Sequence, residues 1–74
     1  MPQLDLRGLD PPEPMRRALE AVEALGRAEA VEIITDREPL LLYHELTRRG
    51  HAYLRESGPE GFHTTVRSGR KDAP

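Results

Sequence analysis

The apolar residues of this chain change their spacing in a pattern that few folds accommodate. Apolar and polar residues alternate in Gln3–Arg7, which predicts a strand with one buried face. They recur at three- and four-residue intervals in Pro14–Leu25, as in an amphipathic helix, and Gly26 suits its C-terminal cap. β-Branched residues alternate again in Ala30–Thr35 and predict a second strand. Strand, helix and strand in this order form a βαβ unit.

A second helix is predicted after that strand. Asp36 suits its N-terminal cap, Pro39 its first turn and Gly50 its end. The residues that share its buried face are Pro39, Leu42, Tyr43 and Leu46. Leu40 and Leu41 fall outside that face, so we expect them to be exposed. Adjacent exposed leucines are found at protein contacts, but also at ordinary helix starts, and the sequence leaves both interpretations open.

Residues 51–68 predict a β-hairpin. Two runs typical of strands, His51–Ser57 and Phe62–Ser68, flank a Gly-Pro-Glu-Gly turn. We expect a type I turn followed by a glycine bulge, which sets Leu54 opposite Val66. A plain two-residue turn sets Leu54 opposite Thr65 and buries less. The face predicted to be buried is Ala52, Leu54, Phe62, Thr64 and Val66.

The element order β-α-β-α-β-β predicts a two-layer α/β (α+β) sandwich. Two right-handed crossovers place both helices on one face of a four-stranded mixed sheet. Residues 1–68 form the predicted domain, and 69–74 are expected to be a disordered, charged tail. The residues expected on the open face of the sheet are Asp5, Arg7, Glu32, Ile34, His51, Tyr53, Arg55 and Arg67. Tyr53 is the only aromatic residue among them, too few to stack the bases of single-stranded RNA.

Composition excludes several functional classes. The chain has no cysteine, which excludes disulfides, thiolate metal ligands and thiol nucleophiles. A net charge of -2 and a pI near 5.9 argue against a general nucleic-acid binder. No basic and then apolar leader opens the chain, and no apolar run approaches a membrane span, so we expect a soluble cytoplasmic protein. The absence of asparagine suits a thermophilic source.

The three histidines do not predict a metal site. On the predicted register, His51 and His63 lie about 20 Å apart along the strands, too far to share one ion. His44 lies off the buried face of its helix, where a solvated imidazole is the default. We expect no metal and no other cofactor.

Gly8–Met15 (GLDPPEPM), which we call the proline collar, precedes the first helix. A helix start after a strand commonly binds anions through free N–H groups. The three collar prolines have none, and Glu13, Met15 and Arg16 are the backbone donors left. The collar is either a rigid turn, worth about 0.4–1 kcal/mol for each proline, or a recognition edge. In the second case the charges expected to converge there are Arg7, Asp10, Glu13 and Arg37.

The segment LDLRGLDPPEP, followed by a helix and by TDREP, resembles the SirA/TusA family of small sulfur carriers. The hallmark of that family is a short strand, Gly-Leu and a Cys-Pro-x-Pro helix start. Aligned on Gly8 and Leu9, the family's Pro-x-Pro falls on Pro12–Pro14 and its persulfide-carrying cysteine on Pro11. Sulfur transfer needs a thiolate, so the resemblance implies a carrier scaffold without its nucleophile.

The chain more closely resembles the cysteine-less branch DUF2249. There an Asp-Pro-x-Pro-Leu-Tyr-like segment opens the second helix, from which Glu38 and Leu41 depart here. The resemblance implies sheet order 1-2-4-3 with the last strand antiparallel. It also implies a partner-facing role, because such domains are often joined to hemerythrin-like or other redox modules.

We therefore expect a non-catalytic TusA-like domain that binds a protein partner or a small ligand. The residues predicted to form its site are Arg7, Asp10, Pro11, Glu13, Arg37, Glu38, Leu40 and Leu41. One alternative is an accessory of a sulfur-relay system that docks on relay enzymes without carrying sulfur. Another is a tautomerase that uses the amine of Pro2 as a base after removal of Met1, which leaves the collar unexplained. The sequence leaves the oligomeric state open.

Overall fold

The predicted two-layer sandwich is confirmed in the computed structural model, which describes residues 1–69. Its elements are β1 (Gln3–Asp5), α1 (Glu13–Glu23), β2 (Ala30–Thr35), α2 (Leu40–Arg48), β3 (Ala52–Gly58) and β4 (Gly61–Arg67). The sheet order is β1-β2-β4-β3, with β1 parallel to β2 and β4 antiparallel to both of its neighbours. This is the order that the family resemblance implied. Apart from Gly69, the predicted tail lies outside the described residues.

An apolar core fills the space between the helices and the sheet. Its fully or almost fully buried members are Leu6, Ala18, Val22, Leu25, Val31, Ile33, Leu42, Leu46 and Val66. Both helices contribute to this cluster together with one face of β2 and β4, so both cover the same side of the sheet. Burial of each large aliphatic side chain contributes about 1.5–3 kcal/mol. Within the described residues, neither helix is long and apolar enough to span a membrane.

The hairpin register is not the predicted one. Gly58 pairs with Gly61 and Leu54 with Thr65, so the turn is a plain two-residue turn and the bulged register was wrong. A change of one residue in register turns every side chain of a strand to the other face. Tyr53 consequently faces the helices and stacks on Tyr43 of α2, with ring centroids 5.0 Å apart and an interplanar angle of 6°.

The two faces of the sheet change accordingly. Leu54, predicted to be buried, is 74% exposed on the open face, and Ala52 is exposed as well. Arg55, predicted for the open face, lies over the Tyr43 ring on the helix side. Ile34 does lie on the open face, paired with Asp5 and His63, yet it is only 3% exposed. The predicted register was chosen because it buried more apolar residues. That comparison left out the contact between α2 and β3, where Tyr53 buries more surface than a leucine does.

Candidate functional site

Three loops meet at one edge of the sheet. β1, β2 and β3 run parallel to one another, because β1 is parallel to β2 and both β2 and β3 are antiparallel to β4. Their carboxyl ends therefore lie together, next to the starts of both helices. We call the surface formed there by residues 7–15, 36–41 and 59–60 the carboxyl edge. Ligands of open α/β sheets bind outside the carboxyl ends of the strands.

Polar contacts join these three segments to one another. The Gly8 N–H donates to Oδ2 of Asp36 at 2.6 Å, which ties the proline collar to the loop before α2. Asp36 was predicted to cap α2, but that helix starts without a side-chain cap, and the carboxylate binds the collar instead. The Arg7 guanidinium donates to the carbonyl oxygen of Glu60 in the hairpin turn at 3.3 Å.

Arg7 is held mainly by Asp5. Its Nε and Nη2 donate to the two carboxylate oxygens of Asp5 at 2.9 and 2.7 Å, and its backbone N–H adds a third bond at 3.1 Å. These bonds favour the charged carboxylate and lower the pKa of Asp5 to about 2. Both ions lie at the surface, so the pair contributes little to stability. Arg7 therefore links the end of β1 to the hairpin turn, and its guanidinium is already occupied by these contacts.

The proline collar offers few groups to an anion. Of its three possible backbone donors, Glu13 N–H bonds to the Asp10 carbonyl and Arg16 N–H to the Pro12 carbonyl, each at 3.0 Å. The Glu13 carboxylate accepts bonds from Arg16 and Arg17, which lower its pKa to about 2. The Pro11–Pro12 peptide is cis and both prolines are exposed.

The four charges predicted to converge have separate surroundings. Within residues 1–69, no hydrogen bond or ion pair joins any two of the side chains of Arg7, Asp10, Glu13 and Arg37. Arg7 and Glu13 are paired with neighbours, whereas the side chains of Asp10 and Arg37 are exposed and have no partner in that range. Of these four charges, Asp10 and Arg37 are therefore the two whose side chains are unpaired within residues 1–69.

The first turn of α2 carries the apolar part of this edge. Leu40 is 63% and Leu41 73% exposed, and this predicted exposure is confirmed. Leu42 and Tyr43, the next two residues, are buried, so the helix turns one pair inward and the other outward. Two adjacent leucines are therefore exposed three and four residues after Arg37, whose side chain has no partner within residues 1–69.

A shallow cleft of about 370 Å³ opens beside α2, between that helix and the end of the hairpin. Its lining is Glu38, Tyr43, Arg55, Glu56, Ser57 and Phe62. Arg55 lies with its Cζ 5.3 Å from the centroid of the Tyr43 ring, and its Nη1 is 3.8 Å from Oε2 of Glu38. The cleft was not predicted from the sequence, because the predicted hairpin register placed Arg55 on the open face of the sheet. The alternation Tyr53-x-Arg55 was the signal that placed both residues on one face.

The histidines lie in separate environments. His51 Nδ1 accepts the Gly69 N–H at 3.0 Å, and its Nε2 is 3.6 Å from a Glu23 carboxylate oxygen. His63 Nδ1 is 3.0 Å from Oε2 of Glu32, whose pKa is lowered first by the hydrogen bond from Gln3 and then by this contact. In the part of the chain that the structure describes, no three His, Asp, Glu or Cys side chains come together as metal ligands.

Pro2, the candidate base of the tautomerase alternative, lies at the other end of the sheet. Its carbonyl accepts the Glu32 N–H at 2.9 Å, so it extends the pairing of β1 with β2. A second shallow cavity of about 390 Å³ lies beside it, lined by Met1, Pro2, Leu25, Glu29, Ala30 and Arg67. The proline collar lies at the opposite, carboxyl ends of the strands.

Comparison with known proteins agrees with this architecture. A SirA-like protein from Desulfitobacterium hafniense, known from its crystal structure, superposes with a TM-score of 0.77 at 22% identity, over 96% of this chain and 100% of that one. At this identity the likeness shows a common fold. No curated protein matches the chain significantly. The family described as uncharacterized conserved protein (DUF2249) matches residues 3–68. The chain therefore belongs to the DUF2249 family and has a SirA-like fold.

Proposed function

We propose that this domain is a non-catalytic binding module that takes a protein partner, or a small ligand, at the carboxyl edge. The observation that carries the proposal is the combination of a complete SirA-like fold with a chain that contains no cysteine. Pro11, exposed in the proline collar, stands where the resemblance to sulfur carriers puts the persulfide cysteine. A persulfide forms only on a thiolate, so this chain has no atom on which to carry sulfur.

A protein partner is supported by the surface around the start of α2. Leu40 and Leu41 are exposed side by side, and the Arg37 guanidinium has no partner within residues 1–69. Exposed apolar groups beside available arginines are typical of protein contacts. Hemerythrin-like or other redox proteins are the partner class that the resemblance suggests. Sulfur-relay enzymes are the alternative, which the retained Pro-x-Pro of Pro12–Pro14 favours.

Affinity capture from a lysate of the source organism tests this proposal. The native chain is expected to retain a partner that the double variant Leu40→Glu, Leu41→Glu does not retain. The double variant His44→Glu, Thr47→Glu is the matched control, because it also places two carboxylates at exposed positions of the same helix. Redox or hemerythrin-like partners support the first form of the proposal, and cysteine desulfurases or relay enzymes support the alternative. Capture of the same partner in equal amount by the native chain, the double variant at Leu40 and Leu41 and the control would contradict a site at the start of α2.

Sulfur transfer from a cysteine desulfurase tests the non-catalytic part. With labelled cysteine as sulfur donor, the native chain is expected to acquire no protein-bound label. Pro11→Cys is the comparison, since it restores a thiol at an exposed position of the collar. Label on the variant alone shows that the native chain lacks only the nucleophile, and supports docking on relay enzymes. Label on the native chain would refute the proposal.

A further inference from the structure

β3 is an edge strand with no strand beside its outer side among the described residues. It spans Ala52–Gly58 and pairs with β4 along its whole length. It contains no proline and no bulge, two devices by which proteins prevent an edge strand from pairing with another chain. Its outer side therefore presents a row of backbone groups that a further strand can bond.

Hairpin geometry determines which of those groups point outward. The residues that flank a two-residue turn form a hydrogen-bonded pair, and such pairs alternate along an antiparallel ladder. Gly58 and every second residue before it consequently bond to β4. The pairing of β4 with β2 leads to the same assignment. The Ser68 N–H bonds to the Glu29 carbonyl at 3.0 Å, so every second residue of β4 counted from Ser68 bonds to β2, and the residues between them bond to β3. The residues whose N–H and C=O groups point away from the sheet are Tyr53, Arg55 and Ser57.

We propose that two copies of this chain associate through β3, antiparallel, with Leu54 of each copy at the two-fold axis. The two sheets then form one continuous sheet. In this arrangement the outward backbone groups of Tyr53 in one copy bond those of Arg55 in the other. This surface is separate from the carboxyl edge, so the inference does not depend on the proposed function.

Side-chain complementarity selects this register. Leu54 is 74% exposed on the open face, and against its own copy it occupies a non-hydrogen-bonded pair, where opposite side chains lie closest. Registers centred on Arg55 or Glu56 set identical charges directly opposite each other, which is destabilising. A register centred on Tyr53 moves Leu54 opposite Ala52 and leaves more of the leucine in water. The register centred on Leu54 buries the exposed leucine and opposes no like charges.

The helix face adds a second contact in the same register. Each Tyr53 lies opposite Arg55 of the other copy. Within one copy, Arg55 already lies 5.3 Å from the Tyr43 ring, and Tyr43 stacks on Tyr53. Each Arg55 can therefore exchange its contact with Tyr43 of its own copy for a cation–π contact with Tyr53 of the other. A two-fold axis provides this contact twice, which is why a second copy suits the edge better than an unrelated strand.

Sedimentation velocity over a wide range of protein concentration tests the association. We expect a monomer–dimer equilibrium that Leu54→Lys weakens about tenfold or more, because it opposes two lysines at the axis. Thr65→Lys is the matched control. It places the same charge on the same face, directly across from Leu54 but on the inner strand β4, and should leave the equilibrium nearly unchanged. Thermal melts of both variants check that each remains folded.

Hydrogen exchange identifies the interface itself. The amides of Tyr53 and Arg55 should exchange more slowly as concentration rises, whereas those of Leu54 and Glu56 stay protected throughout because they bond to β4. A chain that remains monomeric at all concentrations would overturn the proposal. So would a dimer in which exchange at Tyr53 and Arg55 does not depend on concentration, or one that Leu54→Lys leaves intact.

Discussion

Gly61→Ala should destabilise this fold far more than Gly58→Ala, although the two glycines face each other across the same hairpin turn. Gly61 has a φ of +132°, in a region that side chains rarely adopt. A Cβ built there clashes with the carbonyl oxygen of Thr35, whereas one built on Gly58 meets nothing within 4 Å. The pair therefore separates the cost of the backbone position from the general effect of a methyl group.

The expected loss for Gly61→Ala follows from two contributions. A backbone conformation confined to glycine costs about 1–3 kcal/mol when another residue must adopt it. Relief of the contact with Thr35 requires β2 and β4 to move apart locally, which weakens a ladder hydrogen bond worth about 1 kcal/mol. The sum is about 2–4 kcal/mol, a large share of the roughly 4–11 kcal/mol expected for a domain of this size.

Urea denaturation and thermal melts, both followed by circular dichroism, measure the two variants. Gly61→Ala should lower the free energy of unfolding by about 2–4 kcal/mol and the melting temperature by roughly 10–30 °C. Gly58→Ala should change the free energy by no more than about 0.5 kcal/mol, or raise it slightly by restricting the unfolded chain. A loss at Gly61 no larger than that at Gly58 would refute the two-residue turn and the register built on it.

Three further predictions concern the core and the surface charges. Thr64 is fully buried and its hydroxyl has no hydrogen-bond partner among the described residues, so Thr64→Val should raise the free energy of unfolding by about 1 kcal/mol; Thr65→Val is the control, and a loss at Thr64 would reveal a bonded hydroxyl. Leu46→Ala should cost about 2–5 kcal/mol because it leaves a cavity in the core, whereas Leu41→Ala on the exposed side of α2 should cost less than about 0.5 kcal/mol; similar losses would contradict the helix phase. The carboxyl groups whose pKa arginines lower to about 2 are Asp5, Glu13 and Glu45. Their contribution is present above the unfolded pKa of about 4 and is lost as the pH falls towards 2, so the urea midpoint should decrease over that range, and less steeply in Glu45→Gln; an equal slope in native chain and variant would contradict the arginine contacts of Glu45.

The sequence was sufficient for the element order and for the buried face of each helix. Both depend on spacing within a single element: the recurrence that buries Leu42 and Leu46 also turns Leu40 and Leu41 to solvent, whatever the helix packs against. The resemblance carried by the proline collar was sufficient for the sheet order. The absence of cysteine, on which the proposed non-catalytic role depends, is a property of composition and needs no coordinates.

The tertiary structure decided the hairpin register and the partners of the charged residues. Both turn types fit the glycines and proline of the hairpin, and what distinguishes them is the stack of Tyr53 on Tyr43, two residues in different elements. Asp36 could cap its own helix by local rules, yet it binds Gly8 because parallel pairing brings the ends of β1 and β2 together. Local spacing determines which face of an element is apolar, but the neighbour that covers it depends on contacts between residues distant in the chain, whose energies no short stretch of sequence contains.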